Sequence, residues 1–323
     1  MVSASISPSG CCGRNPMVAP EERFNCRCVA RGNQTTGRHD QPSPPDFART
    51  GHPVTGHDGP MTDQTTVPPV PGVVDLHARL AAGETLYGAF ALLGSPVATE
   101  IMARSGFDWL ILDLEHGAGT EADLLAHLHA MGATPAAALV RPQSGERLRI
   151  GRALDLGAHG IMVPRVDTPE QAREGISFMR YPPDGGRGLA LSTRGAGLGE
   201  LGHTQIQAIN QRILGIIQVE SRSAVDHADE IAAIDGVDIL FVGPTDLSHS
   251  LGIPGRFDDP AYLDALRRVT ATTEAAGKVA GILLRDASSL PRHRELGFRF
   301  IGLGSDGAFI TDGARAVLAA TRD

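Results

Sequence analysis

Lysine is almost missing: Lys278 is the only one in 323 residues. Chemistry that needs an amine nucleophile therefore rests on that one position or does not occur. Cysteine is confined to Cys11, Cys12, Cys26 and Cys28. The rest of the chain cannot carry a disulfide framework and suits a reducing, cytoplasmic setting. The spacing of those four thiols does not match a zinc finger. No run of about 18 apolar residues exists, which excludes a transmembrane helix, and the leading segment lacks the apolar stretch of a secretory signal. Positive charge is in deficit, with 29 Lys and Arg against 37 Asp and Glu and a net charge of −8. That balance argues against nucleic acid or an anionic membrane as a partner.

Apolar periodicity is also missing from residues 1–71, which are rich in Pro, Gly, Ser, Thr and Arg. Such a segment buries too little surface to offset its ordering entropy and is expected to be a disordered extension. Met61 is the most economical natural start. From residue 72 to 323 the pattern changes. Strand-like runs near 86–92, 109–114, 136–141, 160–164, 213–219, 238–243, 279–284 and 299–304 alternate with helical stretches. Alternation of this kind implies right-handed βαβ units and a parallel sheet. Eight units in about 250 residues predict one α/β domain, a (β/α)8 TIM barrel. A doubly wound sheet would place G-x-G-x-x-G after its first strand, where the chain reads Gly94-Ser95-Pro96. One connection is long. It carries Arg180-Tyr181-Pro182-Pro183 and a helix expected near 203–212, and it is read as a segment that folds over the barrel mouth.

In α/β barrels the carboxyl ends of the strands carry the chemistry. Strand two ends in Asp113, Glu115 and His116, strand three in Arg141, strand four in Pro164-Arg165, strand five in Gln218 and Glu220, and strand six in Thr245-Asp246. Glu220 and Asp246 would repel each other unless a cation lies between them. Two carboxylates with water and substrate oxygens suit a hard divalent cation such as Mg2+ or Mn2+. Helix capping is the competing account of both. Arg141 either balances a carboxylate or holds a developing oxyanion. His116 is a general base or a third metal ligand. Lys278 precedes strand seven, at the wrong end of the barrel for a Schiff base.

Seven stretches occur in a family order: Phe107-Asp108-Trp109 with Asp113-x-Glu115-His116, Val140-Arg141-Pro142, Val163-Pro164-Arg165, Arg180-Tyr181-Pro182-Pro183 with Gly186-Arg187-Gly188, Gln218-x-Glu220, Phe241-Val242-Gly243-Pro244-x-Asp246-Leu247-Ser248, and Gly277-Lys278 with Gly281-Ile282-Leu283. Together they resemble the HpcH/HpaI aldolase/citrate lyase family in its class II pyruvate-aldolase branch. The resemblance implies a metal-dependent carbon–carbon lyase that cleaves 4-hydroxy-2-oxo acids, such as 4-hydroxy-2-oxoheptanedioate or 2-keto-3-deoxy sugar acids, to pyruvate and an aldehyde. It implies Glu220 and Asp246 as ligands to Mg2+, Mn2+ or Co2+, and Arg141 on the enolate oxygen. His116 would carry the proton of the 4-hydroxyl, with Asp113 and Glu115 orienting it or the metal waters. Substrate contacts would come from Gln218, Thr245, Asp246 and Leu283. Asp155 would reach the site of a neighbouring subunit in a homo-oligomer, a trimer or hexamer, with residues 306–321 packing on a neighbour.

Residues 190–195 depart from the spacing of heptanedioate aldolases, which leaves the aldehyde open. An acyl-CoA lyase of the citrate or malyl-CoA type and a non-catalytic barrel that binds a 2-oxo acid are the alternatives.

Overall fold

The computed structural model describes residues 75–203 and 205–322. The expectations for residues 1–71 fall outside the described residues. Eight strands, β1 (Leu86–Ala91), β2 (Trp109–Asp113), β3 (Ala137–Arg141), β4 (Gly160–Val163), β5 (Leu214–Val219), β6 (Ile239–Val242), β7 (Val279–Leu284) and β8 (Phe298–Ser305), form a closed barrel in sequence order. Every neighbouring pair is parallel, and β8 closes on β1. Each expected strand is present with ends within one residue of the reading. This is the (β/α)8 barrel.

The helices are α1 (Leu76–Ala81), α2 (Pro96–Arg104), α3 (Glu121–Met131), α4 (Arg147–Asp155), α5 (Pro169–Ser177), α6 (Ile206–Asn210), α7 (Arg222–Asp226), α8 (Ala228–Ala232), α9 (Pro244–Ser250), α10 (Pro260–Ala275), α11 (Leu290–Glu295) and α12 (Asp306–Ala319). Three begin alike. Ser95, Thr168 and Asp259 each accept a backbone N–H of the first turn, and a proline follows at the first helical position. The cap satisfies an orphan donor, and proline fits where no N–H is needed. None of the helices described is long and apolar enough to cross a membrane.

Side chains alternate between two apolar layers, as the pleat requires. The inner layer includes Phe90, Trp109, Ile111, Leu139, Ile216, Phe241 and Phe300. The outer layer, between strands and helices, takes the intervening residues, such as Leu110, Leu112, Val140, Ile217 and Val242. Trp109 stacks on Phe300 with centroids 4.2 Å apart and planes 5° from parallel. Gly88 makes the room, because a Cβ there would lie 2.0 Å from the indole. Filling the centre this way makes the barrel a packed core open to chemistry only at its ends.

The long β4–β5 connection differs from expectation. Arg180 donates to the carbonyls of Ile213 and Gly236, residues that lead into β5 and β6. Tyr181 N–H donates to Asn210, and Arg187 lies over the Tyr181 ring at 4.3 Å. These partners sit at the amino ends of the strands, so this part of the connection packs along the barrel floor and does not cover the mouth. Buried arginine donors holding backbone carbonyls explain the placement, since a buried carbonyl without a partner is costly. The expected helix is the five-residue α6.

Candidate active site

The inward alternation of each strand continues past the apolar layer into polar residues. Beyond Trp109 and Ile111 comes Asp113, beyond Ala137 and Leu139 comes Arg141, and beyond Leu214 and Ile216 come Gln218 and Glu220. The period of two therefore delivers four polar side chains to one mouth. Leu283, on the same inward phase of β7, packs against the inner apolar layer.

Register places Asp113 directly opposite Arg141. Arg141 Nε donates to Asp113 Oδ1 at 2.9 Å, and Nη2 donates to Oδ2 at 2.6 Å. The pair is nearly dry, with the Asp113 side chain at 0% exposure and that of Arg141 at 9%. Burial opposes the Arg141 charge, but hydrogen bonds and charge from Asp113, with Glu115 and Glu220 adding, raise its pKa further. Nη1 donates to Gln218 Oε1 at 3.3 Å and lies 3.2 Å from Glu115 Oε2. The guanidinium also sits 5.2 Å from the Phe90 ring centroid. A bidentate fork fixes its plane as a single hydrogen bond would not. Asp113 further accepts the N–H groups of Glu115 and His116. It therefore positions Arg141 and the turn after β2.

Glu220 accepts a short hydrogen bond from Gln218 Nε2. Gly243 leaves space for this pair, because a Cβ there would stand 3.1 Å from Glu220 Oε2 and 3.2 Å from Gln218 Nε2. Burial pushes the Glu220 carboxyl up, and the charges of Asp246 and Glu115 push it further. Glu115 is likewise pushed up, first by burial, against the lowering influence of Arg141. Its Oε2 is buried without a hydrogen bond, although Arg141 Nη1 lies 3.2 Å away. Asp246 and Thr245 are exposed in the first turn of α9. Asp246 thus gains from the helix dipole, and its charge reaches Glu220. Capping does not account for Glu220, since Ser221 is the residue that caps α7.

The His116 side chain is 64% exposed, with Nε2 3.8 Å from Glu115 Oε2. It lies at the rim with freedom to meet a ligand. Asp155 is not brought to this mouth. It ends α4, on the floor side of the barrel, and accepts from the buried Arg187 at 3.0 Å. Glu115, expected to orient His116 or the metal waters, touches Arg141. Asp306, not singled out from sequence, is buried at the start of α12 and accepts the N–H groups of Leu92, Leu93 and Gly307. An acid directly following strand eight was the available signal for Asp306.

Among the described residues no three His, Cys, Asp or Glu side chains converge into a ready cage. The donor set nevertheless fits a hard cation. Glu220 and Asp246 are acids held where their charges conflict, and Mg2+ commonly takes one or two carboxylates and fills its shell with water and substrate oxygens.

A family model described as HpcH/HpaI aldolase/citrate lyase matches residues 86–312. The chain is similar to a hydroxypyruvate/pyruvate aldolase of Delftia acidovorans, 39% identical over 241 residues, covering 75% of this chain and 90% of that protein. It is similar to a 5-keto-4-deoxy-D-glucarate aldolase of Klebsiella pneumoniae, 38% identical over 229 residues, covering 71% of this chain and 89% of that protein. Among solved structures it resembles a HpcH/HpaI aldolase/citrate lyase family protein of Burkholderia cenocepacia, with a TM-score of 0.74 and 37% identity, covering 77% of this chain and 99% of that one.

Proposed function

Because the chain belongs to the HpcH/HpaI aldolase/citrate lyase family, we propose that it is a divalent-metal-dependent pyruvate aldolase that cleaves 4-hydroxy-2-oxo acids to pyruvate and an aldehyde. The observation that carries this reading is the Arg141 guanidinium, clamped by Asp113 beside the Gln218–Glu220 pair, with the charge of Asp246 reaching Glu220.

Cleaving the C3–C4 bond leaves negative charge next to a carbonyl. Glu220 and Asp246 would hold the cation, which when bound supplies a Lewis acid toward the keto oxygen. Arg141 retains one N–H on each terminal nitrogen that is not committed to a hydrogen bond. Held in place before the reaction, these donors stabilise oxygen as its charge grows, without reorganising. The exposed His116 takes the proton of the 4-hydroxyl and returns one in the reverse direction. The first-turn N–H groups of Thr245 and Asp246 have no intrahelical acceptor and would hold the substrate carboxylate. Leu283 supplies the apolar wall. Lys278, the only lysine in the sequence, immediately precedes β7, on the floor, so no lysine lies at the mouth for a Schiff base. In a homo-oligomer, Asp155 would serve a neighbour's site, since its own mouth is at the far end of the barrel.

The test is pyruvate release from a panel of 4-hydroxy-2-oxo acids, followed with lactate dehydrogenase, with Mg2+, Mn2+ or Co2+ added to chelator-treated protein. Turnover is expected only with metal. Metal-independent turnover would refute the mechanism, and activity confined to a CoA ester would make the protein an acyl-CoA lyase.

A further inference from the structure

The segment after β1 is held by an acid that the proposed reaction does not use. β1 and β8 pair as far as Phe90 opposite Ser305, and the next residue, Asp306, lies past that ladder. Asp306 is only 2% exposed. Its Oδ1 accepts the Leu92 N–H at 3.0 Å, and its Oδ2 accepts the Leu93 N–H at 3.0 Å. Both residues follow the end of β1 at Ala91, so the strand ladder does not fix them. Capping of α12 does not need the acid, since Ser305 accepts the Ala308 N–H. What Asp306 fixes is the plane of the peptide between Leu92 and Leu93. The other end of that peptide, the Leu92 carbonyl, accepts the Ala118 N–H at 2.7 Å. Ala118 belongs to the turn that carries His116. One planar peptide unit therefore joins the Asp306 carboxylate to that turn. A charged acceptor at one end of the unit strengthens the hydrogen bond made at the other.

The turn is clamped at both ends. Asp113 accepts the N–H groups of Glu115 and His116, and the Leu92 carbonyl accepts that of Ala118. Gly117 fits between the clamps, because a Cβ there would stand 2.1 Å from the Asp113 carbonyl oxygen and 3.2 Å from that of Leu92. The His116 side chain makes no hydrogen bond among the described residues, and its ion-pair partner, Glu115 Oε2, stands 3.8 Å away. The aim of the ring is thus set by its backbone, and the backbone by the two clamps. A general base must meet its proton at about 3 Å, and a misplacement of about 1 Å can cost roughly 100-fold in rate. We infer that Asp306 is a positioning residue for His116: through the Leu92–Leu93 peptide it holds the turn that presents the proton carrier to the 4-hydroxyl. This rests on the aldolase reading above. Asp306 itself touches no substrate and moves no proton.

Wild type, Asp306→Asn and Gly119→Ala are compared with Mn2+ in two assays. One is cleavage of the best 4-hydroxy-2-oxo acid. The other is exchange of pyruvate methyl protons in deuterium oxide, which involves no 4-hydroxyl. Asn keeps the size of Asp but sets an NH2 donor against one of the two backbone N–H groups, so the peptide tips. Gly119→Ala leaves Asp306 intact and displaces the turn instead, because a Cβ there would lie 3.2 Å from the Gly94 Cα. It carries the test if Asp306→Asn does not fold. Cleavage kcat should fall roughly 10- to 100-fold in Asp306→Asn, and by a smaller factor in Gly119→Ala, while KM and the exchange rate change little. Adding Asp306→Asn to His116→Ala should cost no further cleavage, since both remove the same step. A wild type that neither cleaves nor exchanges overturns the aldolase reading together with this inference. A wild type that does both overturns the inference alone if its folded variants lose cleavage and exchange in parallel, lose neither, or lose cleavage additively with His116→Ala.

Discussion

The two ends of this barrel treat their acids differently. At the floor, carboxylates serve the backbone. Asp108 accepts the Tyr87 N–H at 2.8 Å and pairs with Arg79 at 2.6 Å, and Asp238 accepts the Gly215 N–H at 2.7 Å beside His77. His159, pushed down to about 4 chiefly by burial, accepts the Ala138 N–H at 2.9 Å as a neutral ring. At the mouth, Asp113 is fully engaged, but Glu115 and Glu220 are held in partial burial beside other acids with their pKa values raised. Asp306 is the instructive exception. It lies at the mouth end yet accepts three backbone N–H groups, so it belongs with the structural acids. Satisfied acids fasten the fold, and unsatisfied ones mark where a ligand completes the charge balance.

The largest separation between the two ends should come from Glu220→Ala and Asp246→Ala. Each is expected to lower turnover by roughly 10³-fold or more and to abolish the response to added metal. Neither should lower the melting temperature of metal-free protein, because each removes a like-charge conflict. A marked loss of stability would make these carboxylates structural. Asp113→Asn should fail in both respects, since it leaves Arg141 buried without its carboxylate. The expected cost is about 3–5 kcal/mol by denaturant unfolding, with activity lost as well.

Acid titration sharpens the contrast through sign. Burial first, then the Arg194 charge, pushes His159 down to about 4 from an ordinary 6.5. The unfolded chain therefore binds more protons between those values, and stability falls as pH drops from 6.5 to about 4, by roughly 3 kcal/mol in total. For Glu220 and Glu115 the folded chain binds more protons above 4.5, so their contribution to stability falls as pH rises through that window. His159→Gln should flatten the acid limb in unfolding curves, and Glu220→Gln should steepen it. The smallest effect is at the floor: Asp108→Ala strands the Tyr87 N–H and should cost about 1–3 kcal/mol, with kcat unchanged in the same metal-dependent assay.

Most of the barrel was legible because its strands are buried apolar runs bounded by Gly or polar residues, and a buried run needs no partner to be recognised. Positions at the strand ends were legible for the same reason: once β2, β3 and β5 are placed, Asp113, Arg141 and Glu220 must lie at one end. What those residues do to one another was not. The Asp113–Arg141 fork joins residues 28 apart through strand register, and register appears only when the barrel closes. The left-handed step at Arg165 leaves no mark in the sequence, since nothing in Pro164-Arg165-Val166 demands it. The floor location of Arg180 and Arg187 was hidden because a Pro- and Gly-rich stretch reads alike whether it lines a mouth or a floor.

The central claim is that the mouth carboxylates are in conflict because a divalent cation completes them. Calorimetric titration of chelator-treated protein with Mn2+, in two buffers of different ionisation heat near pH 5, tests it most directly. The account predicts one site per chain, protons released on binding because Glu220 and Glu115 start partly protonated, and no site in Glu220→Gln. Binding that is absent from the wild type, or equally strong in Glu220→Gln, would contradict it.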